Sequence, residues 1–311
     1  MNCLVTGAAG FIGSHLSERL LALGHHVTGI DSFNPYYDRR IKERNLSVCK
    51  RHADYQFNEL DLRTDQLDHL VKNVEVIFHL AAMPGLTQSW VDFENYWTCN
   101  ALATRQLLEA VRKSCPKLHR FIHVSTSSVY GKFASGDEML ATRPISPYGV
   151  TKLAAENLCW SFAEAWKLPI VILRYFSVYG PRQRPDMGYQ RFIEAFSRKQ
   201  AVHIYGDGLQ VRGNTFVSDC VAATIAAVDA PVHEVFNIGG MEMANVWDII
   251  QKLKGITGID PEIVIRPERP GDQRHTFADC SKAGRHLRWQ PQISLTDGLT
   301  QQWNWHLQNN L

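Results

Sequence analysis

Three evenly spaced glycines after a short apolar run constrain the fold of this chain more than any other feature. Residues 3–6 are largely apolar, Gly7, Gly10 and Gly13 follow, and residues 11–23 place leucines on one side of a predicted helix. Glycine permits a tight turn between a strand and a helix and lets a ligand approach the backbone closely. The free N–H groups at the start of such a helix can bind pyrophosphate oxygens. The pattern therefore predicts a strand–turn–helix unit that binds a dinucleotide.

Predicted strands and helices alternate along the first half of the chain. Such alternation favours an α/β fold in which a doubly wound parallel (Rossmann) sheet is covered by helices on both faces. The predicted strands after the first are residues 27–31, 55–61, 74–80, 120–126, 169–175 and 234–238, and the main predicted helices are residues 100–113 and 148–166.

The spacing becomes irregular after residue 175, and the tail from about residue 241 is predicted to contain two helices. We therefore expect a smaller C-terminal α/β lobe that binds the substrate. The expected division is a dinucleotide-binding domain of residues 1–174, with a returning strand within about 213–240, and a lobe of residues 175–212 and 241–311.

Acidic and small residues at the predicted strand ends indicate which dinucleotide binds. Asp31 ends the second strand, 24 residues after Gly7. A carboxylate there accepts hydrogen bonds from the adenosine ribose hydroxyls and repels a 2′-phosphate, which favours NAD over NADP. We expect Asp61 and Leu62 to contact the adenine and the small residues after His79 to leave room for the nicotinamide. His79 itself is predicted to be a packed strand histidine.

Composition excludes several other classes of protein. The 311 residues carry a formal net charge of +2, so electrostatics supports neither a nucleic-acid nor a membrane partner. No apolar run reaches the roughly 18 residues of a membrane span, and we expect no signal peptide. The seven cysteines are scattered without a C-x-x-C pair, and the 13 histidines lack metal-ligand spacing. We therefore expect reduced thiols, no metal site and a cytoplasmic location.

A tyrosine and a lysine near the middle of the chain are candidates for acid–base chemistry. Tyr148 and Lys152 are four residues apart and share a helix face. The ammonium of Lys152 is expected to favour the phenolate and lower the Tyr148 pKa. The hydroxyl-rich run at residues 125–131 precedes this pair, so a phenolate here could remove the proton of a sugar hydroxyl. Tyr-x-x-x-Lys is common in proteins, so this pair indicates a catalytic role only together with the neighbouring motifs.

Taken together, these motifs resemble the extended branch of the short-chain dehydrogenase/reductase family, in particular its nucleotide-sugar epimerases and dehydratases. The resemblance covers the chain and rests on the glycine turn, Asp31, residues 79–82, Asn100, residues 125–131, Tyr148 with Lys152, residues 174–176 and residues 205–208. It implies tightly bound NAD, Tyr148 as acid and base, Lys152 as a ligand of the nicotinamide ribose, and Thr126 as a hydroxyl partner of the reacting oxygen. The cofactor-binding residues it implies are Gly7, Gly10, Phe11, Ile12, Gly13, Asp31, Asp61, Leu62, Leu80, Ala81, Ala82, Asn100, Tyr148, Lys152 and Tyr175.

In this family a sugar is first oxidised at C4, and the residues at two positions indicate the fate of the resulting 4-keto sugar. Related dehydratases carry Asp-Glu at the positions of Ser127 and Ser128, and uronate decarboxylases carry Glu at the second position. A serine hydroxyl is not a competent base for a carbon acid. The two serines therefore argue against dehydration, weaken decarboxylation and favour 4-epimerisation, which needs no further acid or base.

The substrate-binding residues resemble those of UDP-glucuronate 4-epimerases, through Ser177 and the Arg-Pro-Asp-Met run at 184–187. We therefore expect a UDP-sugar 4-epimerase acting on UDP-glucuronate to give UDP-galacturonate. The alternatives are a UDP-glucose/UDP-galactose 4-epimerase, a UDP-glucuronate decarboxylase and a non-catalytic dinucleotide-binding scaffold. The expected substrate-binding residues are Gly85, Thr126, Ser127, Ser128, Ser177, Arg184, Arg191, Tyr205, Arg212, Arg269 and Asp272.

Two departures from the resemblance bear on the substrate and on one loop. The uronate epimerases commonly carry an Arg where this chain has Thr87, so the charge that would balance a carboxylate is in question. They also commonly read Arg-Asp-Phe where this chain has Arg212, Gly213 and Asn214. In relatives, the helices that match residues 100–113 and 148–166 pair across a two-fold axis, so we expect a homodimer.

Overall fold

The fold is built on a parallel sheet of seven strands. The structure, a computed structural model, describes residues 1–309. Its strands in chain order are β1 (Asn2–Thr6), β2 (His26–Asp31), β3 (Tyr55–Glu59), β4 (Val76–His79), β5 (Arg120–Thr126), β6 (Phe133–Gly136), β7 (Ile170–Tyr175), β8 (Val178–Tyr179), β9 (Val202–Tyr205), β10 (Val211–Phe216), β11 (Glu234–Ile238), β12 (Glu242–Ala244), β13 (Ile263–Arg266) and β14 (His275–Ala278).

The large sheet has the strand order β11-β7-β5-β4-β1-β2-β3, and every neighbouring pair in it is parallel. Successive residues of its central strands enter two separate cores, since Val5 and Phe78 pack in one, and Leu4 and Ile77 in the other. A strand whose two faces are both buried is continuously apolar, as parallel sheets require. The predicted α/β fold with a doubly wound parallel sheet is confirmed.

Helices cover both faces of this sheet and complete the smaller lobe. They are α1 (Phe11–Ala22), α2 (Arg39–Leu46), α3 (Asp68–Val71), α4 (Phe93–Trp97), α5 (Ala103–Ser114), α6 (Pro147–Trp166), α7 (Gly188–Ser197), α8 (Val217–Ala226), α9 (Val246–Thr257), α10 (Ser281–Leu287) and α11 (Leu295–Gln308). A π-helix, Thr98–Leu102, joins α4 to α5.

The prediction of two helices in the tail is wrong, because α9, α10 and α11 all follow residue 241. The additional helix, α10, has only seven residues and ends where Arg288 adopts a left-handed conformation. A helix of two turns carries too few apolar positions to be recognised from periodicity.

The smaller lobe contains mixed β-structure. A five-stranded sheet has the order β12-β10-β14-β6, with β8 beside β10, and β9 pairs with β13. β10 and β12 are antiparallel, whereas β14 and β6 are parallel. The lobe's sheet thus includes Phe133–Gly136, which lies within residues 1–174. We propose the division expected from the sequence with two changes. Phe133–Gly136 belongs to the sheet of the smaller lobe, and so does β10, whose residues 213–216 fall within the segment expected to return to the first domain.

The strand order places a crevice at the middle of the large sheet. The chain runs outward from β1 to β2 and β3 on one side, and to β4, β5, β7 and β11 on the other. At such a switch point the loops at the carboxyl ends of neighbouring strands diverge, and ligands bind between them. Gly7, Leu80 and Thr126 lie at or directly after the ends of β1, β4 and β5.

Among residues 1–309, no helix is long and apolar enough to cross a membrane.

Candidate active site

The glycine turn lies against the end of β4 and leaves no room for side chains. Gly7 has a φ of +71°, and a Cβ there would be 2.9 Å from the backbone nitrogen of Ala81. A Cβ on Gly13 would overlap the carbonyl oxygen of Gly7. Helix α1 begins after Gly10, and no side chain caps its first N–H groups. The turn therefore presents free backbone donors to the crevice.

Asp31 is held in a fixed orientation at the end of β2. Its carboxylate accepts hydrogen bonds from the backbone nitrogens of Ala9 at 3.2 Å and Phe33 at 2.9 Å. The ammonium of Lys42 lies 3.5 Å from Oδ1 of Asp31 and also donates to Asn34 O at 3.1 Å. Lys42 lines the crevice and was missed by the sequence analysis, because one lysine in a basic helix carries no distinguishing signal.

Asp61 is bound to a neighbouring arginine at the far end of the crevice. The Arg63 guanidinium donates to the Asp61 carboxylate, at 2.9 Å through Nε and 2.6 Å through its terminal nitrogen. Hydrogen bonding to Arg63 lowers the pKa of the Asp61 carboxyl. Arg63 also lines the crevice, so this end of the site consists of an ion pair and not of an isolated carboxylate.

His79 is a packed strand histidine, as predicted. Its Nδ1 lies 2.8 Å from the Thr6 hydroxyl and its Nε2 lies 2.9 Å from the Thr104 hydroxyl. Burial lowers its pKa to about 3, so the ring is neutral. Thr6 also accepts a hydrogen bond from Ala81 N at 3.1 Å. His79 therefore stabilises the loop after β4 through the Thr6 hydroxyl.

The prediction that Asn100 binds the cofactor directly does not match its position. Asn100 is fully buried, and its side-chain amide group bonds both the nitrogen and the carbonyl oxygen of Met83, at 2.7 and 3.1 Å. It also donates to the Thr151 hydroxyl at 2.9 Å, and that hydroxyl donates to Tyr148 O. Since its polar atoms are occupied by protein groups, Asn100 holds the wall of the crevice and does not line it.

The candidate acid–base pair is presented by the first two turns of α6. The Ser146 hydroxyl caps this helix by accepting from Gly149 N at 3.1 Å, and Pro147 occupies the first helical position. These residues are typical helix starts, and they place Tyr148 and Lys152 beside the end of β5. Lys152 is buried, donates to Val124 O at 2.7 Å, and has its pKa lowered by burial to about 8.

The pKa of Tyr148 differs from the expectation. Burial raises the pKa of its hydroxyl, and hydrogen bonding to Thr126 together with the charge of Arg184 opposes that rise. The prediction of a lowered pKa, which rested on the spacing to Lys152, is therefore wrong for the chain by itself. Removing the phenol from water disfavours the phenolate, and this desolvation is the largest contribution.

Three consecutive hydroxyl side chains begin at the last residue of β5 and face the same cavity as Tyr148. Thr126 accepts from Ser128 N at 3.1 Å and donates to the Ser128 hydroxyl at 3.2 Å. Gln273, which the sequence analysis missed, donates to Ser127 O at 3.2 Å and to Gly131 O at 2.7 Å. These bonds fix the turn, in which positions 127 and 128 carry hydroxyl groups and not carboxylates.

The predicted residues come together in two connected cavities. The first has a volume of about 420 Å³ and extends from the glycine turn to the serines. The second, about 620 Å³, lies in the smaller lobe. Every predicted site residue except Asn100 lines one or both of them. The two cavities share Ser177, Val178, Met187, Arg212 and Asp272.

Three arginines line the second cavity, and two of them lie beside the ring of Tyr205. The Arg269 guanidinium lies 3.4 Å from the ring centre of Tyr205, and that of Arg191 lies 5.7 Å from it. Arg212 is paired with Asp272 at 2.6 Å. These guanidinium groups suit the oxygens of a diphosphate. Within residues 1–309, no cluster of side chains has the composition of a metal site.

Comparison with known proteins assigns this arrangement to a family. The model of the NAD dependent epimerase/dehydratase family matches residues 3–239. The chain belongs to this family. Its relatives include an uncharacterized UDP-glucose epimerase, YtcB, of Bacillus subtilis (strain 168), which is 43% identical over 96% of each chain. A UDP-glucuronate 4-epimerase of Thermodesulfobacterium geofontis (strain OPF15) is 34% identical and covers 98% of this chain and 96% of the relative.

A solved structure shares the whole architecture. The UDP-glucuronic acid 4-epimerase of Bacillus cereus, crystallised with UDP-glucuronic acid and NAD, is 44% identical. It superimposes with a TM-score of 0.96 over 99% of both chains. The resemblance inferred from the sequence motifs is thereby confirmed.

Proposed function

We propose that the chain is a UDP-glucuronate 4-epimerase, which interconverts UDP-glucuronate and UDP-galacturonate with bound NAD. The observation that carries this proposal is the row of hydroxyl side chains, Thr126 to Ser128, that shares one cavity with Tyr148 and Ser177. No carboxylate stands at the positions where dehydration or decarboxylation would need one. The Bacillus cereus relative, which binds UDP-glucuronic acid and NAD, supports the same reaction.

The first cavity fits NAD on three grounds. The glycine turn admits no Cβ at Gly7 or Gly13, so its backbone is open to a pyrophosphate. The start of α1 presents uncapped N–H groups. Asp31 lines the cavity at the end of β2, where its carboxylate can accept ribose hydroxyls. We propose the predicted cofactor-binding residues, apart from Asn100, as the contacts of this molecule.

Tyr148 is proposed to take the proton of the C4 hydroxyl and to return it at the end of the cycle. Bound NAD supplies the redox chemistry, by accepting the hydride from C4 and giving it back. If its hydroxyl turns from Ser128 to Tyr148, Thr126 would favour the ionised form of the tyrosine. Lys152 uses one of its three N–H donors on Val124 O, which leaves two for the nicotinamide ribose. These three residues are the proposed catalytic group.

The serines can protect the sugar intermediate from decarboxylation. A 4-keto uronate is a β-keto acid, and it loses carbon dioxide when the bond to the carboxylate lies perpendicular to the carbonyl plane. Hydrogen bonds from Ser127, Ser128 and Ser177 would hold the carboxylate away from that geometry. Ser177 adopts a φ of +21°, a strained conformation for a residue with a side chain, at the junction of the two cavities.

Arg184 is the proposed positive partner of the substrate in the first cavity. Thr87, which stands where relatives carry an arginine, is exposed and lines neither cavity. Arg184 lines the first cavity, and its charge acts on Tyr148. We therefore assign to Arg184, which is also ion-paired with Asp186, the positive partner that the sequence left in question.

The second cavity is proposed to hold the UDP group. Arg212 lines both cavities, so it can bind the diphosphate between the sugar and the uridine. Tyr205 offers an aromatic surface, and Arg191 and Arg269 lie over its ring. Asp272 accepts from Arg212 and, with its second oxygen, could accept a ribose hydroxyl.

A neutral sugar is the second candidate substrate. Because residue 87 is a threonine, the chain lacks the cation that a uronate epimerase with an arginine at this position would carry. The Bacillus subtilis relative, at 43% identity, is named a UDP-glucose epimerase. The competing substrate is therefore UDP-glucose.

A product assay separates these possibilities. Purified enzyme is incubated with UDP-glucuronate or UDP-glucose at equal concentration, and the nucleotide sugars are resolved by ion-exchange chromatography. We expect UDP-galacturonate as the main product, with no UDP-pentose, and no product from Tyr148→Phe. Conversion of UDP-glucose faster than that of UDP-glucuronate, or release of carbon dioxide as the main reaction, would contradict the proposal.

A homodimer is proposed through the helices that the resemblance implies, α5 and α6, together with the exposed apolar residues of the neighbouring α4. Phe93, Trp97 and Val150 are exposed there. Burial of such a patch between two copies would remove it from water. We expect light scattering to give the mass of a dimer, and Trp97→Glu to give that of a monomer. A monomeric mass for the unmodified chain would refute this assembly.

A further inference from the structure

A tyrosine outside the predicted site joins opposite walls of the first cavity. The Tyr36 hydroxyl donates a hydrogen bond to Asp186 Oδ2 at 3.1 Å, across 150 residues of sequence. Tyr36 belongs to the loop that leaves β2 after Asp31, and this loop lines the cavity. Asp186 belongs to the loop between β8 and α7, whose residues Arg184 and Met187 line the same cavity. The bond therefore links two loops that both line the first cavity.

The acceptor of this bond is a charged group that is itself held in place. Both oxygens of Asp186 accept from the Arg184 guanidinium, each at 3.0 Å. The same guanidinium lies 5.9 Å from the ring centre of Tyr36. Hydrogen bonds to ionised groups are stronger than neutral ones, so the three side chains form one connected unit. We call Tyr36, Arg184 and Asp186 the clamp.

The loop after β4 is shaped to admit the tyrosine. Gly85 has a φ of +94°, and a Cβ at this position would overlap the Tyr36 hydroxyl. The Tyr96 hydroxyl donates to Pro84 O and so fixes the neighbouring peptide. Gly85 thus leaves room for the Tyr36 hydroxyl beside this loop.

We propose that Tyr36 is a positioning residue that holds the first cavity closed and slows the release of bound NAD. This inference rests on the proposed NAD-dependent function. The loop of Tyr36 and the loop of Asp186 separate only when the hydrogen bond between them breaks. Since Arg184 belongs to the same unit, the clamp also holds its guanidinium at the sugar end of the cavity.

The test measures cofactor release without any sugar. Enzyme loaded with NAD is diluted into buffer that contains an NAD-consuming dehydrogenase and its substrate, and the appearance of NADH reports release. Loss of a hydrogen bond to a charged acceptor predicts that Tyr36→Phe releases NAD roughly ten-fold faster. The matched control is Tyr55→Phe, whose hydroxyl is buried and has no hydrogen-bond partner among residues 1–309. We expect this control to release NAD at the unmodified rate.

A double-mutant cycle shows whether the two residues act through one bond. Asp186→Ala removes the acceptor, and the double variant with Tyr36→Phe should release NAD no faster than Asp186→Ala alone. If Tyr36→Phe folds poorly, Asp186→Ala alone must accelerate release. Unchanged release in the single variants, or additive effects in the double variant, would overturn the proposal.

The outcome can be separated from the proposed reaction. An enzyme that epimerises UDP-glucuronate while Tyr36→Phe retains NAD normally would refute the clamp alone. A protein that retains NAD through the clamp without converting UDP-glucuronate would refute only the proposed substrate.

Discussion

Replacing Lys152 with methionine should stabilise the folded chain at neutral pH while ending turnover. Lys152 is buried, and burial lowers its pKa from 10.5 to about 8. A lowered lysine pKa means that the charged form is less favourable in the folded than in the unfolded chain. A shift of this size corresponds to about 3 kcal/mol. Methionine has a similar shape and carries no charge, so this penalty disappears.

One hydrogen bond opposes the gain. Lys152 donates to Val124 O at 2.7 Å, and methionine would leave that buried carbonyl oxygen without this donor. The loss is about 1–2 kcal/mol. We therefore expect Lys152→Met to raise the free energy of unfolding by about 1–2 kcal/mol at pH 7.

The pH dependence provides the sharper test. Between pH 8 and 10.5 the unfolded chain binds more protons at Lys152 than the folded chain does, so the stability of the unmodified protein rises with pH. The advantage of Lys152→Met should therefore shrink by about 2 kcal/mol from pH 8 to pH 9.5. Near pH 10 its sign should reverse, because only the lost hydrogen bond then remains.

The measurement is urea unfolding of NAD-free protein, followed by circular dichroism from pH 7 to 10. Lys72→Met, at an exposed position, is the control and should change stability by less than about 0.5 kcal/mol throughout. A Lys152→Met variant that is less stable at pH 7, with a difference that does not vary with pH, would refute the reasoning.

Three further substitutions test other parts of the site. Ser128→Ala should raise the KM for UDP-glucuronate roughly five-fold through loss of one hydrogen bond, with kcat little changed. A fall in kcat as large as the rise in KM would count against carboxylate binding. Gly13→Ala should lower the free energy of unfolding by roughly 1–3 kcal/mol and weaken NAD binding in calorimetry, since its Cβ would overlap the Gly7 carbonyl oxygen. Glu156→Gln should destabilise the fold by about 3 kcal/mol in urea unfolding, because it leaves the Arg174 guanidinium buried without its carboxylate partner at 2.7 Å. A Glu156→Gln variant as stable as the unmodified chain would show that the pair adds no net stability.

The dinucleotide end of the site could be predicted because its requirements are local. Gly7 and Gly13 are required by a turn that spans seven residues, and Asp31 ends the next strand. Parallel strands place their carboxyl ends at one edge of a sheet, so the alternation of strands and helices is enough to bring these residues together. The same rule explains why the end of β5 and the start of α6 meet with Thr126 beside Tyr148.

Contacts between distant segments could not be predicted in this way. Gln273 holds Ser127 from 146 residues away, and Tyr36 reaches Asp186 across 150 residues. Neither pair has a spacing or a periodicity that distinguishes it from other polar residues. Asn100 illustrates a different difficulty, since its position in a motif indicated importance but not whether its amide would face the ligand or the protein.

The sequence by itself determined the fold class, the strand ends that form the site, and the residue types that allow epimerisation. The tertiary structure decided how those residues behave. Four-residue spacing brought Lys152 to the same helix face as Tyr148, but burial raised the tyrosine pKa and lowered that of the lysine. Spacing along the chain determines which groups are neighbours, whereas desolvation depends on everything packed around them. The glycine turn is therefore determined by the sequence, whereas the contact between Tyr36 and Asp186 arises only from the packing of distant segments.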